Sequence, residues 1–223
     1  MITLHHLENS RSQRVLWMLE ELGVDYRIQR YARDPKSSLA PPELRAVHPL
    51  GKSPVITDGE RTLAESGAII DYLAERYGDG CLRPDPGTDA FLEYRYWLHY
   101  AEGSAMPMLL LRLVFSRVAA APAPFFVRPV IRKLVDKVDA GFISPQLRLH
   151  FDYVNAQLEQ REWFAGDRFS GADVQMSFPL EGALARGGGG DRWPAIVAFV
   201  ERIRARPAWQ RALEAGGAYE LMR

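Results

Sequence analysis

A run of polar residues follows the first apolar segment of the chain, Asn9-Ser10-Arg11-Ser12-Gln13-Arg14. Ser10 and Gln13 have the S-x-x-Q spacing of a helix capping box, which is a structural interpretation of the run. The same geometry has a chemical use, because a hydroxyl at a helix start, near Arg11 or Arg14, can donate to an anion such as a thiolate. Lowering a thiol pKa from about 8.5 to about 7 takes roughly 2 kcal/mol and ionises about half of the thiol at neutral pH.

A second candidate site is the dipeptide Ser53-Pro54, which stands just before the apolar run Val55-Ile56-Thr57. Proline has no N–H for a sheet ladder, so it is confined to a strand start, an edge strand or a bulge. A cis peptide bond here would leave the backbone N–H and C=O of Ser53 available to a ligand. The alternative is a plain trans turn that leads into an edge strand.

The third candidate is Glu65-Ser66, at the start of an apolar run of helical spacing. Unpaired N–H groups at a helix start attract carboxylate or phosphate, and the Ser66 hydroxyl adds a donor. An ionised Glu65 accepts only, so it can pair with an ammonium group. Together the two residues are suited to an amino-acid headgroup. In the structural alternative Ser66 is only a cap and Glu65 only a surface charge.

The first eighty residues alternate between strand and helix periodicity, in the predicted order β-α-β, loop, β-β-α. Asp58-Gly59 between two short apolar runs predicts a hairpin, and Gly23 and Gly78 end two of the helices. The remaining predicted elements are strands at 1–6 and 26–31, helices at 12–22 and 66–77, and a short helical turn at 43–47.

The rest of the chain reads as helical after a linker rich in Gly and Pro, residues 81–87. We predict a long helix over 89–117, kinked at Pro107, and a capping box at Ser170–Asp173 in which Asp replaces the usual Glu. Breaks between helices are expected around 121–124, 141–145 and 187–190. The predicted organisation is an α/β domain, residues 1–80, followed by an all-α domain, residues 88–223.

Composition excludes several classes of function. Lys and Arg total 28, as do Asp and Glu, and this net charge of zero argues against nucleic acid as the main partner. The lone cysteine, Cys81, excludes an internal disulfide, a CxxC redox pair and a Cys-rich zinc site. The five histidines are scattered, so no metal is expected. We see no signal peptide, and Arg112 and Arg117 interrupt the longest apolar stretch, so we expect a cytoplasmic protein without a membrane partner.

These motifs, taken in order, resemble the glutathione S-transferase family over nearly the whole chain. The resemblance rests on HPLGKSPVI, AESGAIIDYLAERY, FSGADVQMSFPL and RARPAWQRALE, which begin at residues 48, 64, 169 and 204. It implies a thioredoxin-like βαβ–ββα domain followed by an all-helical one. The start, LHHLENSRSQRVLWMLEELG, is most similar to bacterial and fungal members of a serine-type branch. The first turn holds no Tyr, so the tyrosine-type mechanism is unsupported, and no Cys, which excludes the cysteine-type branch.

The resemblance also implies roles for individual residues. Ser10 matches the catalytic hydroxyl that stabilises the thiolate, with Asn9 and Arg11 as alternatives. Pro54 is implied to be a cis-proline beside the cysteinyl part of glutathione. The residues implied to bind the rest of the peptide are Lys52, Ser53, Glu65 and Ser66. Tyr100, Met106 and Leu109 are expected to line a pocket for an apolar electrophile, with core packing as the alternative.

The function implied is conjugation of the glutathione thiolate to small apolar electrophiles, with reduction of organic hydroperoxides as a further activity of the same thiolate. Glutathione is the co-substrate, and no metal is implied. Family members are typically homodimers. Two alternatives share the same residues: a non-catalytic member that binds glutathione or a protein, and a glutathione-dependent isomerase or dehalogenase.

Overall fold

A four-stranded mixed sheet forms the centre of the N-terminal domain in the computed structural model, which describes residues 1–35, 37, 39–187, 191–217 and 219. The strands lie in the order β2-β1-β3-β4, with β1 parallel to β2 and the other pairs antiparallel. Their bounds are Ile2–Leu7, Tyr26–Tyr31, Val55–Asp58 and Arg61–Ala64. The helices of this domain are α1, Ser12–Leu22, α2, Glu43–Val47, and α3, Ser66–Tyr77. This arrangement confirms the predicted βαβ–ββα order.

The helical domain follows a segment without helix or strand between Tyr77 and Asp89. Two of its long helices each contain one π turn. The elements in order are α4, Asp89–Tyr100, a π turn, Ala101–Ala105, α5, Met106–Ala120, α6, Arg128–Val138, a second π turn, Asp139–Ile143, α7, Ser144–Gln160, α8, Gly171–Gly187, α9, Pro194–Arg204, and α10, Pro207–Gly216. The predicted break at 121–124 separates α5 from α6. The break expected at 187–190 falls on residues 188–190, which lie outside the described residues.

The break expected at 141–145 is wrong, because the chain remains helical there. Pro107 and Pro145 each lie two residues beyond a π turn, and the residue four positions before each is a glycine, Gly103 or Gly141. In a regular α-helix a proline ring clashes with the carbonyl four residues back. In a π turn the bonds reach the fifth residue, as from the Met106 N–H to the Ala101 carbonyl, so the helix widens and continues past the proline.

The helix from Asp89 to Ala120 spans 32 residues, and its most apolar window has a mean hydropathy of 1.3. Length and composition alone would therefore allow it to cross a membrane. In the folded chain it is part of the helical domain: α4 and α5 both pack against α8, and Glu102 of its π turn pairs with Arg11 and Arg14.

The predicted capping box begins α8. Asp173 is fully buried, and its carboxylate accepts hydrogen bonds from the Ser170 N–H at 2.8 Å and from the Phe164 N–H at 2.9 Å. The Ser170 hydroxyl donates to the same carboxylate at 3.0 Å. Asp173 thus performs the role that Glu has in the usual box and also fixes the loop before the helix.

The two domains share one apolar core. Trp17 of α1 is completely buried and lies edge-on to Trp209 of α10, with ring centroids 4.8 Å apart. Phe169, just before α8, also packs against Trp17, with ring centroids 5.4 Å apart. Because α1 packs against α3 as well as against α10, it belongs to the core of both the α/β domain and the helical domain.

Candidate active site

A small cavity of about 190 Å³ lies between the two domains and is lined by most of the predicted peptide-binding residues. Ser53 and Pro54 contribute from the turn before β3, Glu65 and Ser66 from the start of α3, and Lys52 from the loop. The Ser53-Pro54 peptide bond is cis, as the resemblance implies. The Ser53 hydroxyl donates to the His5 carbonyl at 3.3 Å, which ties this turn to β1.

Glu65 has backbone angles that are uncommon for a residue other than glycine, with φ 71° and ψ 116°. Such a conformation costs about 1–3 kcal/mol and is found most often at ligand and active sites. Here it occurs at the mouth of the small cavity, immediately before α3. The strained residue therefore marks the position where the sequence predicts a headgroup to bind.

Ser66 is the first residue of α3, with Glu65 at the capping position, so the interpretation of Ser66 as the helix cap is wrong. Ser66 is 2% exposed, and its hydroxyl accepts two hydrogen bonds, from Arg14 Nη2 at 3.0 Å and from Gln175 Nε2 at 3.1 Å. A hydroxyl that accepts two bonds still has its own hydrogen to donate. Because Ser66 lines the cavity, that hydrogen is available to an anionic ligand.

Arg14, Arg11 and Glu102 form an ionic cluster behind this cavity. Arg14 is 1% exposed, donates to the Gln175 carbonyl at 2.5 Å and pairs with Glu102. Arg11 Nε donates to both carboxylate oxygens of Glu102, at 2.9 and 3.1 Å. Burial acts to raise the pKa of Glu102, but the charges of Arg14 and Arg11 outweigh it and hold that pKa below its usual value. Glu102 is thus an anion at the cavity wall.

Sequence reasoning missed Glu102 as a site residue. It lies 91 residues from Arg11 along the chain and within a helix that is otherwise apolar at its centre. The only sequence signal for the π turn that carries Glu102 is the spacing of Gly103 and Pro107. Because π turns occur frequently at functional sites, this spacing could have pointed to Glu102. His48 also lines the small cavity, although its place among scattered histidines does not indicate a site.

Ser10 is 7% exposed and lies where α1 meets the turn before β3. Its Oγ accepts from the Ser12 N–H at 3.2 Å and lies 2.8 Å from Ser12 Oγ and 3.4 Å from Ser53 Oγ. The predicted capping box with Gln13 is wrong, because the Gln13 side chain instead donates to the Ala212 carbonyl of α10 at 2.9 Å.

A neutral histidine lies beneath this pair of serines. Ser12 Oγ is 2.9 Å from His6 Nδ1, and Ser12 is completely buried. Burial and, secondarily, the charge of Arg30 lower the pKa of His6 to about 4. At neutral pH the ring is therefore uncharged, and the Ser10–Ser12–His6 chain is a neutral network that fixes the position of the Ser10 hydroxyl.

A larger cavity of about 580 Å³ adjoins the small one and shares Arg11, Leu50, Lys52 and Ser53 with it. Ser10 and its alternatives Asn9 and Arg11 all line this second cavity. Asn9 has φ 48° and an exposed side chain, whereas Arg11 Nε is engaged by Glu102. All three predicted candidates for thiolate stabilisation are thus brought to the same space.

Two of the three residues predicted for the electrophile pocket, Met106 and Leu109, line the larger cavity. Tyr100 does not, and its predicted placement is corrected. It is 8% exposed, its hydroxyl lies 2.8 Å from His150 Nδ1, and its ring packs edge-on against Trp97. Tyr100 instead contacts His150 and Tyr153 of α7, and the residues of the long helix that line the larger cavity begin at Met106, beyond the π turn. Among the described residues, no group of three or more His, Cys, Asp or Glu is placed to hold a metal ion.

Comparison with known proteins finds one family in both domains of the chain. The family model "Glutathione S-transferase, N-terminal domain" matches residues 10–76, and "Glutathione S-transferase, C-terminal domain" matches residues 131–207. Glutathione S-transferase 3 of Schizosaccharomyces pombe is 37% identical over 215 residues, which are 96% of this chain and 87% of the relative. This chain belongs to the glutathione S-transferase family.

Other glutathione S-transferases are similar over comparable lengths. Glutathione S-transferase 1 of Saccharomyces cerevisiae is 32% identical over 222 residues, covering 96% of this chain and 94% of that protein. A solved glutathione S-transferase structure from Actinobacillus pleuropneumoniae superposes with a TM-score of 0.83 at 37% identity, covering 99% of this chain and 95% of that one. The predicted family, fold class and enzyme class are thereby confirmed.

Proposed function

We propose that this glutathione S-transferase conjugates glutathione to small apolar electrophiles and that the Ser10 hydroxyl stabilises the attacking thiolate. The observation that carries the proposal is the position of Ser10 Oγ, 3.4 Å from Ser53 Oγ and on the wall of the larger cavity. A peptide held by the Ser53 backbone would bring its thiol to this point. One donor at a helix start, together with the helix dipole, is enough to lower a thiol pKa by about 1.5 units.

The remainder of the glutathione molecule fits the small cavity. The Ser66 hydroxyl donates to the α-carboxylate of the γ-glutamyl group, and Glu65 and Glu102 accept from its ammonium group. Lys52 lies at the junction of the two cavities and pairs with the glycine carboxylate. These assignments use each charge of the ligand once.

In the conjugation step the thiolate sulfur forms a bond to an electrophilic carbon in the larger cavity. The electron pair of the bond that breaks leaves with the departing group, or moves onto an activated double bond that then takes a proton from water. The protein binds both reactants side by side and keeps the sulfur ionised. Ser10 only donates a hydrogen bond and transfers no proton, since His6, the base in its buried network, has a pKa lowered to about 4 and is too weak to take the proton of a hydroxyl.

The decisive experiment measures the ultraviolet absorbance of the bound thiolate against pH, after a thermal-shift assay has established glutathione binding. Ser10→Ala is expected to raise the thiol pKa by about 1–2 units, to lower kcat below that pKa roughly tenfold or more, and to change glutathione affinity less than about threefold. Ser116→Ala, on the exposed face of α5, is the matched control.

Absence of glutathione binding would overturn the proposal. If Ser10→Ala leaves the thiol pKa unchanged, Asn9→Ala and Arg11→Gln identify the alternative donor. Binding with an ordinary thiol pKa in the unmodified protein would support the non-catalytic alternative. Assays with an organic hydroperoxide, which yields an alcohol, water and oxidised glutathione, and with isomerase or dehalogenase substrates, separate the remaining alternatives.

A homodimer is proposed for this chain as well. Exposed apolar side chains on α4 and α7 support it, including Leu92, 69% exposed, and Leu149, 63% exposed. Light scattering coupled to size-exclusion chromatography is expected to give twice the mass of the chain, and a monomer at micromolar concentration would contradict it. The cytoplasmic location and the absence of nucleic-acid and membrane partners stay predictions from the sequence.

A further inference from the structure

The larger cavity has an unbalanced set of charges for a site that receives an apolar molecule. Five cationic side chains line it, Arg11, Arg33, Arg45, Lys52 and Arg117, and no Asp or Glu does among the described residues. The chain as a whole has equal numbers of basic and acidic residues, so this local excess is not a property of the composition. A cavity lined with one sign of charge concentrates ligands of the opposite sign.

One of these cations, Arg117, and the apolar wall lie along one helix. Leu109, Leu113 and Arg117 of α5 all line the cavity and follow each other at intervals of four residues. This spacing puts them on one helix face, and the rise of 1.5 Å per residue puts the Cα atom of Arg117 about 12 Å beyond that of Leu109. Because a helical side chain leans toward the helix N-terminus, the guanidinium points back over the Leu113 side of the stripe.

The start of this stripe lies near Ser10. Glu102, four residues before Met106, is bonded to Arg11, the neighbour of Ser10. A molecule that lies along α5 therefore has one end near the proposed thiolate and the other near Arg117. The apolar side chains Met106, Leu109 and Leu113 contact the part between.

Arg33 approaches the same region from the end of β2. Its Nε donates to the Glu8 carbonyl at 3.2 Å and its Nη2 to the Asn9 carbonyl at 3.1 Å. Burial lowers the pKa of Arg33, and the charges of Arg117 and Arg11 lower it further, opposed by Glu8. The positive charges of Arg117 and Arg11 thus act unfavourably on Arg33, and an anion bound beside it would offset them.

Glutathione accounts for only part of this charge. Its two carboxylates and one ammonium group are assigned above to Ser66, Lys52, Glu65 and Glu102. No ion pair among the described residues involves Arg45, Lys52 or Arg117. With Lys52 assigned to the glycine carboxylate, Arg117 has no counter-ion in the peptide and none among the described residues.

We propose that the electrophilic substrate is an amphipathic anion, with an apolar body over Met106, Leu109 and Leu113 and a carboxylate at Arg117 and Arg33. This inference rests on the proposed transferase function and adds the class of the second substrate. The reacting carbon lies at the Ser10 end of the molecule, and the carboxylate takes no part in the bond change.

The test uses two probes that differ in one charge, 4-chloro-3-nitrobenzoate and 4-chloro-3-nitrobenzamide. In both, the glutathione sulfur bonds to the ring carbon, the carbon–chlorine bond breaks and chloride leaves with its electron pair. Each kcat/KM is divided by the rate constant of free glutathione thiolate with the same probe, which removes the difference in intrinsic reactivity. The ratio of the two normalised values, carboxylate over amide, is expected to be about ten or more at low salt and to fall as salt is added.

Arg117→Gln is expected to lower this ratio roughly tenfold, and Arg117→Lys to restore a large part of it. Arg95→Gln, an exposed arginine of α4 outside the cavity, is the matched control and keeps the wild-type ratio. A ratio near one in the unmodified enzyme, or the same ratio in Arg117→Gln as in wild type, would overturn the inference. Failure of glutathione to bind, or to react with either probe, would instead overturn the proposed transferase function.

Discussion

Arg14 is a buried cation whose charge is balanced by the single carboxylate of Glu102. Replacing that carboxylate by an amide leaves a guanidinium in the interior with hydrogen bonds but no counter-charge. We expect Glu102→Gln to lower the free energy of unfolding at pH 7 by about 1–3 kcal/mol, as for a buried charged group that loses its partner. Urea denaturation measures this, with Glu162→Gln, from an exposed pair, as a control expected to change stability by less than about 1 kcal/mol.

The pH dependence of that loss follows from the lowered pKa of Glu102. A carboxyl whose pKa is lower in the folded state contributes stability above its unfolded pKa, and that contribution is lost as the pH falls through the folded pKa. The stability difference between wild type and Glu102→Gln is therefore constant near neutral pH and narrows as the pH falls below about 4. A difference that stays constant down to acid unfolding would contradict the ionic role.

Ser66 combines a structural and a binding role in one hydroxyl. Ser66→Ala removes the acceptor of Arg14 and Gln175, so we expect a loss of about 1–3 kcal/mol in stability. The same change removes the donor to the proposed headgroup, and the KM for glutathione is expected to rise roughly tenfold. Steady-state kinetics and thermal unfolding measure the two effects. A stability loss with unchanged KM would assign Ser66 to the fold alone.

At the scale of elements, the start of α8 depends on Asp173, which receives three hydrogen bonds. Asp173→Ala leaves two buried backbone N–H groups and the Ser170 hydroxyl without an acceptor. We expect a loss of about 2–4 kcal/mol, more than an exposed helix cap contributes. Denaturant unfolding measures it. Asp167→Ala, in the exposed loop before α8, is expected to leave the free energy of unfolding nearly unchanged. Equal losses of stability in the two variants would show that the hydrogen bonds of Asp173 do not stabilise the protein.

The elements that sequence reasoning predicted well are those specified by residues adjacent in the chain. The box at Ser170–Asp173 lies in a short motif whose chemistry is local. The cis bond at Ser53-Pro54 is implied by the family resemblance, since the residues alone also allow a trans turn, and the strained backbone of Glu65 was not predicted. Arg33 was missed because it lies in the loop after β2, whose path the sequence does not indicate. Glu102 and Arg117 were missed because they reach the site through the packing of the long helix beside the first domain. Tyr100 was misplaced for the same reason, since the π turn changes which face of the long helix meets the cavity.

At the scale of the whole molecule, the shared core couples the two domains. Trp17 contacts Trp209 and Phe169 of the helical part while α1 also packs against α3. Unfolding either domain alone would expose this core on the other. We therefore expect one calorimetric transition, with a ratio of calorimetric to van't Hoff enthalpy of about one. Two separable transitions would show that residues 1–80 and 88–223 fold independently.

The π turn at Ala101–Ala105 also determines which way the side chains after it point around the helix axis. It contains one residue more than an α-helical turn, and each residue of an α-helix advances the side-chain direction by about 100°. Deleting one residue there would leave Glu102 facing the arginines and rotate everything beyond it by about that angle. Leu109, Leu113 and Arg117 would then turn away from the cavity together. A single inserted residue thus fixes the angle between Glu102, at the small cavity, and the α5 side chains that line the larger one.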